Sequence, residues 1–443
     1  MSSVIKNTLS ASQIEYLLTI PDISQRKTII QKWANDQVGK YGFVWQNFDV
    51  GMGKTYMSVD LIRRIRKVTN EKIIVVVPTS TLFLSWSAML ESFENVELYV
   101  LKSFTMSKKT YDCHTLIIDE VDRAAGDSVY FNTALSITKK KYTVVLAAKL
   151  EESHVEFLEK HGLACINYIE KNVFELLQLG PKSQLITVPV ELTYREKVSY
   201  AKVMSSIDII DDWFKDLALG NKLYFFLPQI LSSKGDVFIN DWIIIYNRKW
   251  PDKTKEQIRG MLKGKAANFM KLIKERQTIL FNAENKRIII DKILAFENKK
   301  AFLFFNSVEA VNLYSRPNVV PYHSKLSKKQ RDLNLIEFFK GKSISSIKGL
   351  IYGFDLETES KRLNVPHVDV SLAINSSYNS SKIVSIQKDG RIKRNDKKNI
   401  NKIATSYYLF VDDFMYNNEK IMSQEKIWLL KSIKGQKFTI KQF

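Results

Sequence analysis

Five consecutive β-branched residues, Ile73–Val77 (IIVVV), constrain this chain more than any other feature. A strand without polar alternates has no face to give to water. It must be covered on both sides, as strands are in a parallel sheet with helices on each face. Comparable runs occur at Phe43–Phe48 (FVWQNF), Leu98–Leu101, Thr115–Ile118 (TLII) and Thr143–Leu146 (TVVL), separated by stretches of helical character. A second series begins at Ala301 with AFLFF and continues through VVPYH, KGLIYG, VDVSLAI and Tyr407–Val411 (YYLFV). The 443 residues exceed what one core usually supports, so two α/β units are expected. Between them, from about Tyr194 to Asn285, the chain reads as helices rich in Lys, Arg and Trp. Thr193–Glu196 (TYRE) and Thr254–Gln257 (TKEQ) carry the capping-box pattern, and Gly235-Asp236 before VFIN suggests a short β excursion. The expected fold class is α/β: two parallel-sheet domains, 1–190 and 286–443, with a basic, mainly helical module at 191–285 between them.

Composition narrows the class. At 45% hydrophobic residues, disorder is excluded as the main state. The longest aliphatic run is far short of a membrane span, and the N-terminus lacks the apolar core of a secretory signal. Cys113 and Cys165 cannot build a disulfide framework, and no Cys/His cluster suggests zinc. A soluble cytoplasmic protein is expected. Its 67 Lys and Arg against 47 Asp and Glu give a net charge of +20, with eight basic residues against two acidic between Lys382 and Lys402. Such a balance points to a polyanion without separating DNA from RNA or an acidic protein.

Gly51-Met52-Gly53-Lys54-Thr55 lies between the strand FVWQNF and a helix-like run, Tyr56–Val68. Glycines let backbone N–H groups approach phosphates, and the helix N-terminus adds partial positive charge. Lys54 would reach the β- and γ-phosphates and the Thr55 hydroxyl would ligate magnesium. Phe48 takes the first glycine position of the full pattern. Asp119-Glu120-Val121-Asp122 follows TLII, at the carboxyl end of a parallel strand, where ligands bind in open α/β sheets. There Asp119 could hold magnesium, and Glu120 could orient or deprotonate the attacking water. Each element alone also fits an ordinary turn; both together in one domain point to a nucleotide hydrolase.

With these motifs placed, the sequence resembles superfamily 2 helicases and translocases, whose two motor domains are RecA-like. Val76–Ser80 followed by Leu84-Ser85-Trp86 is similar to that superfamily's nucleic-acid-backbone segment, which implies contacts from Pro78, Thr79 and Ser80. Lys300–Tyr314 resembles the opening of the second motor domain, and Pro321–Lys342 its next stretch, with a Ser327–Gln330 capping box. His323 in that stretch either touches a strand or is a solvated loop histidine. Glu359–Pro366 (ESKRLNVP) and Gln387–Arg394 (QKDGRIKR) resemble the paired motifs that end the second domain. By resemblance Lys361 and Arg362 lie at the nucleic acid, Gln387 and Arg391 face the nucleotide, and Arg394 is an arginine finger. Gln25 is the candidate adenine-reading glutamine, and a surface glutamine fits it as well. The implied cofactors are ATP and Mg2+.

Two branches fit. LTYREKVSYAKV, from Leu192, resembles Swi/Snf-type translocases, whereas the compact length and the LNVP/QxxGRxxR spacing resemble phage UvsW-type branched-DNA helicases. Lys-, Ile- and Asn-rich usage suits an AT-rich genome such as a phage's. The sequence departs from the family at Ala147-Ala148-Lys149, where a Ser/Thr-Ala-Thr motif is usual, at Arg362 for glycine, and at Lys388 for arginine. In the module, Phe238, Trp242 and Tyr246 either stack on bases or pack its core, and Lys263, Lys265, Lys271 and Lys274 form either a binding face or a solvated one. The reading is an ATP-dependent DNA helicase or translocase on forked or branched DNA, serving recombination, replication or repair. The alternatives are a duplex-tracking remodeller, an RNA helicase, or a nucleic-acid clamp with a degenerate ATPase site.

Overall fold

The computed structural model describes residues 4–49, 51–107, 109–121, 128–147, 152–215, 231, 250–314, 316–347, 356–377, 388–393, 402–433 and 436–443. The first sheet holds β1 (Ile5–Asn7), β2 (Phe43–Asn47), β3 (Ile73–Val77), β4 (Val96–Val100), β5 (Tyr111–Ile118), β6 (Thr138–Ala147) and β7 (Cys165–Tyr168). Their order is β1-β7-β2-β6-β5-β3-β4, and every pairing is parallel. The β3 run behaves as its composition demands. Ile73, Val75 and Val77 enter one core and Ile74 and Val76 the other, all with 0% exposure. At about 1.5–3 kcal/mol per buried aliphatic side chain, this strand contributes roughly 10 kcal/mol before chain entropy is subtracted.

The second sheet holds β8 (Lys182–Val190), β9 (Ala301–Phe304), β10 (Val319–Tyr322), β11 (Ser343–Ser346), β12 (Leu372–Asn375), β13 (Ile403–Val411) and β16 (Thr439–Ile440). Their order is β10-β11-β9-β12-β13-β8-β16, again all parallel. A hairpin of β14 (Phe414–Tyr416) and β15 (Glu419–Ile421) precedes helix Gln424–Ser432. The expected fold class, α/β with two parallel-sheet domains and helices between them, is the observed one.

Two details differ from the sequence reading. The division at residue 190 left β8 with the first domain, yet β8 pairs with β13 over nine residues, Lys182↔Ile403 to Val190↔Val411, inside the second sheet. Its partner lies more than 200 residues away, which no local pattern reports. At Ser327–Gln330 half of the expected capping box forms: Gln330 N–H donates to Ser327 Oγ at 3.1 Å, while the Gln330 amide turns forward to Asn334 Oδ1 at 2.9 Å. The boxes at Thr254–Gln257 and Thr193–Glu196 are complete. KGLIYG and the Gly235–Asn240 excursion lie outside the described residues.

In the module, helices Tyr194–Lys215 and Lys255–Phe281 pack through Val203, Ile207, Ile210, Ile258, Leu262, Ala266 and Phe269. Helix Glu284–Glu297 then leads into β9. The chain therefore leaves the second sheet after β8, builds the module and returns to the same sheet.

Candidate nucleotide and nucleic-acid site

The phosphate loop joins β2 to helix Lys54–Arg66. Gly51 has φ 90° and Gly53 φ 73°, ψ 39°, left-handed conformations that side chains disfavour. Space at both positions is also closed. A Cβ on Gly53 would stand 2.8 Å from Gln31 Nε2, and one on Gly51 would stand 3.1 Å from the Lys393 carbonyl oxygen. Lys393 lies between β12 and β13 in sequence, so the backbone of the second domain approaches the loop at that residue. Lys54 Nζ donates to the Phe48 carbonyl at 2.7 Å, which keeps the ammonium inside the loop. Phe48 itself is buried, so the residue in the missing glycine position anchors the loop in the core.

Helix Ile23–Tyr41 braces the loop from outside. Gln31 Nε2 donates to the Met52 carbonyl at 2.6 Å, and Lys27 Nζ donates to the Gly51 carbonyl at 2.8 Å. Burial pushes Lys27 down to about 8. Neither residue stood out in the sequence. Gln25, the candidate base reader, is exposed two residues into the same helix.

Asp119 and Glu120 follow β5. Asp119 is buried; its Oδ2 accepts the Trp86 indole N–H at 2.8 Å, and its Oδ1 accepts Glu120 N–H at 2.8 Å. Burial raises its carboxyl above the ordinary range, and the Trp86 and Glu120 bonds and the Lys54 charge oppose that rise. Glu120 sits at φ 47°, a strained value for glutamate that re-aims the chain at the strand's carboxyl end. Trp86, read in the sequence as following the candidate nucleic-acid segment, is fully buried and donates to Asp119. Leu84 beside it is 71% exposed.

The donor set suits Mg2+. Asp119 offers a buried carboxylate and Thr55 a hydroxyl at the start of the helix after the loop, oxygen donors of the kind a hard ion takes when phosphate and water complete its shell. Among the described residues no cluster of three or more His, Cys, Asp or Glu is present.

Across the cleft, burial lowers the Arg391 guanidinium to about 10, and the facing Glu120 carboxylate partly offsets this. Lys388, standing where arginine is usual, is buried, lowered to about 8 by burial, and donates to the Ser377 carbonyl at 2.9 Å. Gln387, Arg394, Ala148 and Lys149 lie outside the described residues, as do Phe238, Trp242 and Tyr246.

The candidate nucleic-acid residues are placed unevenly. Thr79 caps helix Ser80–Leu90, its hydroxyl accepting Leu82 N–H at 3.3 Å; Pro78 is half-buried and Ser80 exposed. Lys361 is exposed and pairs with Glu357 at 2.8 Å. Arg362 spans Asp332 at 2.6 Å and Glu359 at 2.7 Å. His323 is 5% exposed, with Nε2 on Asn312 Oδ1 at 3.2 Å and Nδ1 without a hydrogen-bond partner. In the module, Lys271 and Lys274 are exposed while Lys263 and Lys265 are half-buried. Trp213 and Trp250 stack at 5.7 Å, with the Lys265 ammonium 5.6 Å from the Trp213 ring.

Residues 22–157, under a third of the chain, match the family described as type III restriction enzyme, res subunit. Two solved structures are similar. The helicase domain of Hef from Pyrococcus furiosus has 15% identity and a TM-score of 0.49, covering 94% of this chain and 98% of that one. A DEAD box protein from the hyperthermophile Methanococcus jannaschii has 11% identity and a TM-score of 0.42, covering 94% and 92%. No curated protein sequence matches the chain. The matched region spans both Gly51–Thr55 and Asp119–Glu120.

Proposed function

We propose that this protein is an ATP-dependent DNA helicase or translocase that acts on forked or branched DNA. The observation that carries the reading is that the second domain reaches the loop: the Lys393 carbonyl oxygen lies 3.1 Å from where a Cβ on Gly51 would stand, with Arg391 two residues before it in the same segment. A site completed by both domains ties nucleotide state to interdomain geometry, which is what a motor needs. In this reading Gly51, Met52, Gly53 and Lys54 cradle the phosphates, while Thr55 and Asp119 hold Mg2+, which supplies charge neutralisation at the transferring phosphoryl group. Glu120 orients and deprotonates the attacking water, and Arg391, with Gln387 and Arg394, closes on the nucleotide from the second domain. An arginine in that role is worth about 10³–10⁵ in rate.

Pro78, Thr79, Ser80, Lys361 and Arg362 would grip phosphates, with His323 alongside them. Such contacts carry no base information, so binding is expected to be sequence-independent and to weaken steeply with salt. The three units of the chain are the first motor domain, the helical module and the second motor domain, with β8 counted in the last.

A second reading, a duplex-tracking remodeller that displaces bound protein, is favoured by Ala147-Ala148-Lys149, which lacks the hydroxyls associated with strand separation. The test is ATP turnover with single-stranded, duplex, forked and four-way DNA and with RNA, alongside strand displacement. Fork stimulation with displacement is expected. Duplex stimulation without displacement would favour the second reading, RNA stimulation alone would replace DNA as the partner, and absence of turnover throughout would refute both motors.

A further inference from the structure

Lys286 is 1% exposed in helix Glu284–Glu297, and its ammonium meets three oxygens: the Ser376 carbonyl at 2.7 Å and both carboxylate oxygens of Glu425 at 2.6 and 2.8 Å. Glu425, 0% exposed, also accepts Val411 N–H at 2.8 Å, so the pair fixes the ends of β12 and β13 together. The next carbonyl, that of Ser377, is held by the buried Lys388 ammonium at 2.9 Å. Lys388 opens the short turn whose next residue, Asp389, accepts Ser406 Oγ at 2.7 Å and Tyr408 OH at 3.0 Å from β13. Arg391 N–H closes that turn on the Lys388 carbonyl at 3.2 Å. Two buried lysines thus hold consecutive peptides, one from the module side and one from the segment carrying Arg391.

The module end of this chain is equally tied. Glu196, at the start of helix Tyr194–Lys215, accepts Glu284 N–H at 2.9 Å, and Asn285 Nδ2 donates to the Glu191 carbonyl at 2.8 Å. Lys286 follows directly. A buried ion pair is weak evidence for stability, because an apolar pair of similar volume is often as stable or more so. What the charges add here is direction: three donors on three oxygens fix where the 376–377 turn sits.

We propose that Lys286 is a positioning residue that couples the base of the helical module to the Arg391 segment at the nucleotide cleft. This rests on the motor reading above. DNA held by the module shifts helix Glu284–Glu297, Lys286 carries the shift to Ser376, and Lys388 passes it to Arg391. Lys286 touches neither nucleotide nor reacting water.

The test uses the full chain. The double variant Lys286→Met/Glu425→Met removes both charges together, whereas Lys286→Met alone would strand a buried carboxylate. Lys286→Arg is the second variant; it keeps the pair, but a planar guanidinium cannot place donors on the same three oxygens. Urea midpoints monitor folding, and turnover is measured with and without forked DNA. The expected result is a KM for ATP within about twofold of the unaltered chain, an unchanged DNA-free rate, and DNA-stimulated kcat lower by on the order of tenfold to a hundredfold, the scale of an ångström-sized misplacement. A purely structural role would move the urea midpoint and both rates together. Native DNA stimulation in either variant with a native midpoint overturns the proposal. Should the unaltered chain itself show no nucleic-acid-stimulated turnover, the motor reading falls and takes this proposal with it; stimulation in the unaltered chain and equally in both variants overturns the role of Lys286 alone.

Discussion

The indole–carboxylate bond between Trp86 and Asp119 makes a quantitative prediction. Both groups are buried, and the 2.8 Å bond brings an N–H donor to a carboxyl that burial pushes upward and this bond pulls back down. A hydrogen bond to a charged group contributes about 1.5–3 kcal/mol. Trp86→Phe removes the donor and also leaves a small cavity, so its total cost mixes two effects. A double-mutant cycle separates them, because in an Asp119→Leu background only the cavity remains. The expected coupling from urea unfolding at neutral pH is about 1.5–3 kcal/mol. Its pH dependence follows from the raised carboxyl. A raised folded-state value contributes stability at low pH that is lost as pH rises through that value. Trp86→Phe raises it further, so the variant should recover relative to the unaltered protein on acidification. Coupling should then fall toward about 1 kcal/mol, that of a neutral bond. A coupling below about 0.5 kcal/mol, or one that does not change with pH, would refute the assignment of Trp86 as the support of Asp119.

Three further outcomes are expected. Lys54→Ala should lower ATP turnover by about 10²–10³ or more while leaving salt-sensitive DNA binding intact, checked by steady-state kinetics beside filter binding. Gly53→Ala meets both a left-handed φ of 73° and Gln31 Nε2 at 2.8 Å; it should cost about 1–2 kcal/mol in urea unfolding and weaken nucleotide affinity. Lys27, lowered to about 8 from 10.5, should make stability rise with pH between those values by at most about 3 kcal/mol, because there the unfolded chain holds the proton and the folded one does not. Lys27→Met should abolish that rise in pH-dependent unfolding.

The architecture was legible wherever burial left its mark on consecutive residues. IIVVV and TVVL are strands because no polar alternate interrupts them, and the observed β3 has the same bounds as the apolar run. By contrast, β11 is SISS; its serines are buried, and Ser343 Oγ accepts Ala301 N–H at 3.0 Å. Polar residues satisfied inside a sheet look like a loop in the sequence. The placement of β8 was hidden for another reason, since a register with β13 is a fact about two distant segments. The site divides the same way. The loop and the acidic box are local patterns, whereas Gln31, Lys27 and Trp86 act on atoms 21, 24 and 33 residues away. Their residue types alone carry no such signal.

Every described strand up to Tyr168 belongs to the first sheet, and β8 onward belongs to the second sheet or its hairpin. Among the described residues the polypeptide therefore passes between the two sheets once, near residues 169–181, and the module is rooted at both ends in the second. It is an outrigger on one body rather than a hinge between two. Helix Lys255–Phe281, with 27 residues, is roughly 40 Å long. A rotation of about 10° at its root would sweep the far end through roughly 7 Å, about the length of one nucleotide step or two. A small angular change at the root of the helix thus becomes a displacement of several ångströms at its far end.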